Sequence, residues 1–323
     1  MKFSGLHLSD RSKLVWLAVL SVVAAAFFVF PGLNADNIGF FLPRRLEKIV
    51  AILVSAWCIG YTAITFQTIT GNRILTPSVM GLDSLYLFIQ TVIIFFFGSG
   101  KLEMMTGTGN FFLSIGFMIG ASCILFLTLF GKERRGVYFL LLAGLIIGAL
   151  FMSLATFMQV MMDPNEFLFL QGKMVASFNN INVSLLWLCV AICLATAGIT
   201  WRDYREYDVL SLGAEQAVNL GLSYRTAVLR SLIVTAVLVS ISTALTGPIT
   251  FLGILIANLS RQLISSFHHT RMVLGSVLLG CLFLVTGQWL VERVFFFSTT
   301  VSVIINFIGG LYFIYLILKE AKA

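Results

Sequence analysis

An all-α polytopic membrane protein with about ten transmembrane helices is the fold class that this sequence predicts, and three observations carry it. Hydrophobic residues make up 59% of the 323 and charged residues only 11%. A soluble domain is about one-quarter charged, so these residues cannot build a water-facing shell. The mean hydropathy is +0.99. The apolar residues also fall into runs of about twenty, the length a helix needs to cross the hydrocarbon core.

Spans are expected near residues 14–30, 46–66, 79–97, 111–130, 137–161, 183–199, 226–246, 249–264, 271–290 and 302–318. The first follows Lys2, Arg11 and Lys13, and Ala24–Ala26 could imitate a signal cleavage site. Its apolar run exceeds a signal core and further spans follow, so an uncleaved helix is expected. The second begins behind Pro43-Arg44-Arg45, and Gly71, Asn72 and Pro77 are turn formers in the loop after it; the third begins beside Asp83. Gly116 with Gly120 in the fourth span and Gly144 with Gly148 in the fifth have the spacing of close helix packing. The sixth holds Cys189 and Cys193 on one helix face, without the further ligands a metal site needs. With Cys58, Cys123 and Cys281 they make five thiols, all in apolar runs, and read as packing residues. Thr246-Gly247-Pro248 is a turn signal that divides the seventh span from the eighth. The ninth ends at Glu292-Arg293 and the tenth closes the chain. Ten spans consume roughly 200 residues, which leaves loops only and predicts a single transmembrane domain over residues 1–323.

Lysine and arginine set the orientation. With the N-terminus inside, fifteen fall on the cytoplasmic side, Lys2, Arg11, Lys13, Lys132, Arg134, Arg135 and Lys322 among them. Six fall outside: Arg44, Arg45, Lys48, Lys101, Lys173 and Arg293. Both termini are therefore expected in the cytoplasm. This topology accounts for the net charge of +7 without nucleic acid.

No enzyme site is expected. His7, His268 and His269, the last two placed in a cytoplasmic loop, have no nucleophile or metal-ligand spacing beside them. The Gly-Lys pairs at 100–101, 131–132 and 172–173 lack the rest of a phosphate loop, so any ATPase must be another subunit. Neither a catalytic residue, a metal nor a cofactor is assigned to this chain. Asp83, Glu47, Lys48, Glu292 and Arg293 are all expected near the membrane interfaces, which leaves an ion relay at the centre without carboxylates.

The segment WRDYREYDVLSLGAEQAVNLGLSYRTAVLR at 201–230 stands apart. Its apolar residues are interrupted by Asp208, Glu215, Gln216 and Asn219. That pattern suits short amphipathic helices on a membrane surface or a partner. Gly213 and Gly221 would punctuate it into two helices with a sharp turn.

Here the chain resembles a known family. SLGAEQAVNLGLS at 211–223 is similar to the cytoplasmic coupling loop of the iron-chelate and cobalamin permeases of ABC importers. LPRRLEKIVAILVSAWCIGYTAITFQTITGNRILTPSVMGLD at 42–83 resembles the family's proline-arginine start of the second helix, its central Gln and its Asn-Pro-Leu-Ala-x-Pro loop. LLAGLIIGAL at 141–150, TGPITFLGILIANLSRQL at 246–263 and GQWLVER at 287–293 resemble three further stretches in order. Departures stand at Asn72–Pro77, at Ala257-Asn258, at Gln288 and at Phe41. The NRILTPSVMG variant is similar to permeases for ferric anguibactin, petrobactin and vibriobactin.

The resemblance implies an inner-membrane permease subunit that moves a ferric siderophore, of catecholate or mixed type, into the cytoplasm. It implies a second, different permease chain, two ATPases carrying ATP and magnesium, and an extracytoplasmic binding protein. Leu212, Gly213, Ala214, Glu215, Ala217, Leu220 and Gly221, within a coupling segment at about 201–225, would then contact the ATPase. Asn72 and Ile74 would stand at the cytoplasmic gate. Arg44 or Arg45, with Arg293, would meet glutamates of the binding protein; the bland alternative is that Glu292 neutralises Arg293 within the chain. Competing readings are an ion-coupled secondary transporter, a non-transporting scaffold, and a cobalamin or heme permease of the same family.

Overall fold

In the computed structural model, residues 9–98, 107–130, 137–179 and 181–320 are described. Lys2, His7, Lys101, Lys132, Arg134, Arg135 and Lys322, used above, lie outside them. The described residues form thirteen α-helices and no strand. They are α1 (Asp10–Val29), α2 (Ile38–Thr70), α3 (Leu82–Phe97), α4 (Gly107–Phe130), α5 (Val137–Val160), α6 (Pro164–Met174), α7 (Val183–Thr200), α8 (Asp203–Leu210), α9 (Ala214–Asn219), α10 (Tyr224–Thr246), α11 (Leu252–Leu263), α12 (His269–Arg293) and α13 (Val301–Glu320). A 3₁₀ turn over Pro77–Met80 precedes α3.

Every expected span coincides with a helix, but only eight of these helices are long and apolar enough to cross a bilayer. The third and eighth spans are α3, of 16 residues, and α11, of 12. At 1.5 Å per residue α11 covers about 18 Å, little more than half a hydrocarbon core. The backbone joining it to α10 is not helical and lies inside the protein, the setting in which irregular backbone is tolerated at membrane depth. Gly247, with φ +94°, makes that break. Its Cα region sits so close to the Val175 carbonyl that a Cβ would come within 2.9 Å.

Burial sorts the long helices into two rings. α2 buries 72% of its apolar window, α10 61% and α12 56%; α1, α4, α5, α7 and α13 bury 28% or less. The outer helices face lipid with Phe, Leu, Ile and Val side chains, which cost nothing there. α2, at 33 residues, starts eight residues before the expected boundary and contains Pro43. The ring removes one backbone donor near the helix start, where it disturbs little. α2 ends at Gly71 in the left-handed conformation, φ +62°.

α1 begins beside the end of α11: the Asp10 carboxylate accepts from the Ser265 backbone, and Lys13 donates to the Leu263 carbonyl at 2.8 Å. α13 starts at the opposite end, where Ser302 meets the Ala176 backbone, and returns past Gln262, which donates to Tyr312 at 2.9 Å. The two described chain ends thus lie at the same end of the bundle, as the charge count requires.

Candidate functional site at the two ends of the bundle

At the end away from the chain start, α2 and α12 frame a cavity of about 700 Å³ with Phe178, Asn179, Ile181 and Val183. Arg44, Arg45 and Arg293 line it together, although nearly 250 positions separate them. Their partners differ. Arg45 donates to the Val29 and Pro31 carbonyls, and Arg293 donates to Pro31 at 3.0 Å. These oxygens belong to the spent end of α1, which leaves carbonyls without intrahelical donors and carries partial negative charge. Arg44 is exposed, with its guanidinium 3.9 Å from the Phe40 ring centroid.

Glu292 does not pair with its neighbour Arg293; its partner is Lys48. Buried Gln288 donates to Glu292 at 2.7 Å and to Asn179 at 2.9 Å, and Lys48 donates to Asn179 at 3.0 Å. Adjacent residues on a helix point about 100° apart, so Arg293 faces α1 while Glu292 faces α2. This four-residue cluster was invisible in the sequence beyond Gln288 standing one turn before Glu292. With Glu47 the cavity counts four cations against two carboxylates, which suits an acidic partner. Phe296 and Phe297 rim this end in the left-handed region, φ +48° and +62°. Their turn lets Phe295 and Phe297 donate to the Leu290 and Val291 carbonyls and so closes α12.

At the other end the segment from Asp203 to Asn219 forms the expected pair of short helices. Gly213, φ +102°, separates α8 from α9, and Gly221, φ +83°, follows α9. A Cβ at Gly213 would also lie 3.0 Å from the Gln216 carboxamide, whereas Gly221 has open space and only its φ excludes other residues. Ala217 is buried, but Leu212, Val218 and Leu220 are 57%, 57% and 64% exposed. Gly213, Ala214 and Glu215 are exposed as well. Val218 of α9 and the flanking Leu212 and Leu220 thus turn apolar side chains outward. α8 is keyed to the bundle: Tyr207 bonds Tyr61 at 2.9 Å and accepts from Ser231 at 2.9 Å, and Arg230 pairs with Asp203 at 2.8 Å and with Glu206.

His269 is not in a loop. It is the first residue of α12, fully buried, with its ring Nδ1 2.7 Å from Asp208 Oδ1. Nothing in the spacing, 61 positions, foretold the pair. Burial alone would raise the Asp208 carboxyl; the backbone and ring of His269, with His268, more than offset this and hold it below the usual carboxylate range.

Between the ends, residues 71–81 fold back into the bundle. Asn72 accepts from the Ile74 backbone at 2.9 Å, a local turn. The chain then climbs until Gly81 meets Gly148 in the middle of α5. Asp83 therefore does not lie at the interface. It lines a small cavity whose wall is mainly apolar, from Ile59, Val239 and Ile249, with Thr62, Thr76 and Thr250 among its polar residues, and α3 is short because it starts partway along the bundle. Gly144 and Gly148 pack on this fold-back, while Gly116 and Gly120 have nothing within 4 Å in the chain. All five cysteines are free; Cys58 and Cys193 sit 3.5 Å apart, sulfur to sulfur.

A multi-helix bundle whose short helices interrupt its span pattern, with an exposed pair of short helices at one end and a charged mouth at the other, has the architecture of a multi-pass membrane protein. The chain belongs to the FecCD transport family, whose model matches residues 10–319. It is 51% identical, over 97% of its length and 99% of the relative's, to the petrobactin import system permease protein YclO of Bacillus subtilis (strain 168). It is 32% identical, over 98% and 92%, to the petrobactin import system permease protein FatC of Bacillus anthracis. Its fold matches a solved metal-chelate type ABC transporter in an inward-facing conformation, with TM-score 0.83 over 96% of this chain and 100% of that one, at 23% identity. The chain is accordingly a multi-pass permease subunit of a metal-chelate ABC importer in a bacterial inner membrane. ATP hydrolysis belongs to a separate subunit.

Proposed function

We propose that the chelate is a ferric siderophore of the petrobactin kind, carrying catecholate or mixed ligands, and that this chain pairs with a second, different permease. Two ATPases supply ATP and magnesium chemistry, and an extracytoplasmic binding protein delivers the chelate. The observation that carries the reading is the likeness, along nearly the whole chain, to the two petrobactin permeases. In this reading α8 and α9 form the coupling segment, and exposed Val218 of α9 with the flanking Leu212 and Leu220 seats in the ATPase. Asn72 and Ile74 stand at the inner constriction, and Arg44 faces the binding protein. Alternating access needs rocking of packed helices and no covalent step from this chain.

The test is uptake of radioiron-labelled ferric petrobactin by cells lacking this chain and by the complemented strain. Uptake restored by complementation, dependent on ATP and indifferent to collapse of the proton gradient, is expected. Normal uptake without this chain, or uptake of heme or cobalamin in its place, sinks the assignment.

A further inference from the structure

Among the contacts that hold α8, the one through Asp208 continues far beyond α8. The His269 backbone N–H donates to Asp208 Oδ1 at 2.8 Å, and its ring Nδ1 lies 2.7 Å from the same oxygen. The opposite ring nitrogen, Nε2, lies 2.8 Å from Thr68 Oγ1 in the last turn of α2. Arg261 of α11 donates to that hydroxyl at 3.3 Å and to Gln67 Oε1 at 3.2 Å. Gln67 then donates to the Arg73 carbonyl at 2.6 Å, which also accepts from Asn258 at 2.9 Å. Arg73 lies between Asn72 and Ile74. Five side chains from four helices therefore join α8 to the fold-back loop, and the longest step is 3.3 Å.

Such a chain is stiff for identifiable reasons. The imidazole is planar, fully buried and bonded at both nitrogens, so it cannot turn without breaking a contact on one side or the other. Unpaired polar groups are costly at that depth, so the two sides are displaced together rather than separately.

We propose that His269 is a positioning residue that makes α8 and the Asn72–Ile74 loop move as one body, so that displacement of the ATPase-docking segment is delivered to the inner end of the pathway. This rests on the reading of α8 and α9 as that segment. Intervening position alone does not establish coupling; the demonstration is thermodynamic. A chain of this kind requires non-additivity: once one link is cut, cutting the next costs nothing more.

The importer is assembled with its partner subunits in lipid vesicles, and two signals are read. Cross-linking of Ala214→Cys to the ATPase reports docking. The maleimide labelling rate of Ile74→Cys, above the background of native thiols, reports the loop with and without ATP. Wild-type sequence at the relay is expected to show ATP-dependent labelling at Ile74→Cys. Thr68→Val, which removes one hydroxyl and keeps the shape, and His269→Gln should each shrink that dependence about tenfold, the order expected from one buried charge-assisted hydrogen bond. The double variant should be no worse than the more severe single, with docking retained throughout. Dependence kept in either variant, or losses that multiply in the double, would overturn the proposal while leaving docking intact. Absence of the Ala214→Cys cross-link would overturn the docking reading instead. Should His269→Gln fail to assemble, Asp208→Asn replaces it in the same cycle.

Discussion

Gly81 and Gly148 meet backbone to backbone: a Cβ built on Gly81 would lie 2.5 Å from the Gly148 Cα. This contact holds the start of α3 at the middle of α5 and thereby sets the depth of Asp83. Gly148→Ala should destabilise the permease by about 1–3 kcal/mol, the usual cost of overpacking. Gly116→Ala, with open space around it, should cost nothing. Thermal unfolding of the purified complexes in detergent separates the two; equal midpoints would refute the packing role.

The outward apolar side chains of Val218 and Leu220 lead to a second expectation. Leu220→Asp and Val218→Asp should leave insertion intact and abolish co-purification of the ATPase, since buried interface anchors are worth about 2 kcal/mol or more each. Gly221→Ala should act through backbone alone, because no atom obstructs its Cβ while φ is +83°. ATPase retained by the double Asp variant would place the contact elsewhere.

Asp208 should confer a pH dependence on the seating of α8. Its folded-state carboxyl is held below the ordinary value, so it stabilises the docked segment at and above neutral pH. That contribution should be lost only as pH falls through the depressed folded value. Hydrogen exchange over residues 203–210 should therefore be faster in Asp208→Asn than in the wild type at every pH above the ordinary carboxylate range, about 3.9. The difference should close as pH falls below that range. Equal exchange of the two at neutral pH would contradict the assignment.

The outer arginines should separate by role. Arg44→Glu should weaken binding-protein association and uptake, more at low salt where screening is slight, and leave stability unchanged. Arg45→Gln should instead lower stability, because the Val29 carbonyl loses the Arg45 donor and the Pro31 carbonyl keeps only Arg293; about 1 kcal/mol is the usual scale for such a bond. A reversed pattern would mean that Arg45, and not Arg44, is the docking residue.

Phe296, exposed and left-handed at φ +48°, should tolerate glycine: Phe296→Gly relieves about 1 kcal/mol of backbone strain. A lower thermal midpoint for that variant would show that the aromatic ring matters more than the turn.

The positions of the ten expected apolar segments, the break at Gly247-Pro248 and the pair of short helices between residues 203 and 219 were legible because each depends on local chemistry. Apolar run length, a turn dipeptide and two glycines act within a few residues of where they stand. Family membership was legible for the same reason, since SLGAEQAVNLGLS and LPRRLEKI are contiguous strings. The charge count likewise anticipated that both described chain ends share one end of the bundle.

What only the tertiary structure decided is which charges meet. Lys48 and Glu292 lie 244 positions apart, and Arg293 turns from Glu292 to α1 through a rotation of one residue on a helix. The depth of Asp83 was misjudged because span counting assumes that each helix starts at an interface, and residues 71–81 fold back instead. His269 was taken for a loop residue because two adjacent histidines look solvated in sequence. Its partners, Asp208 and Thr68, come from α8 and α2, and such a contact depends on how three helices pack. The sequence determines the helices and the surfaces they must hide; packing between distant segments determines which polar groups satisfy one another, because a buried donor finds its acceptor in space and not along the chain.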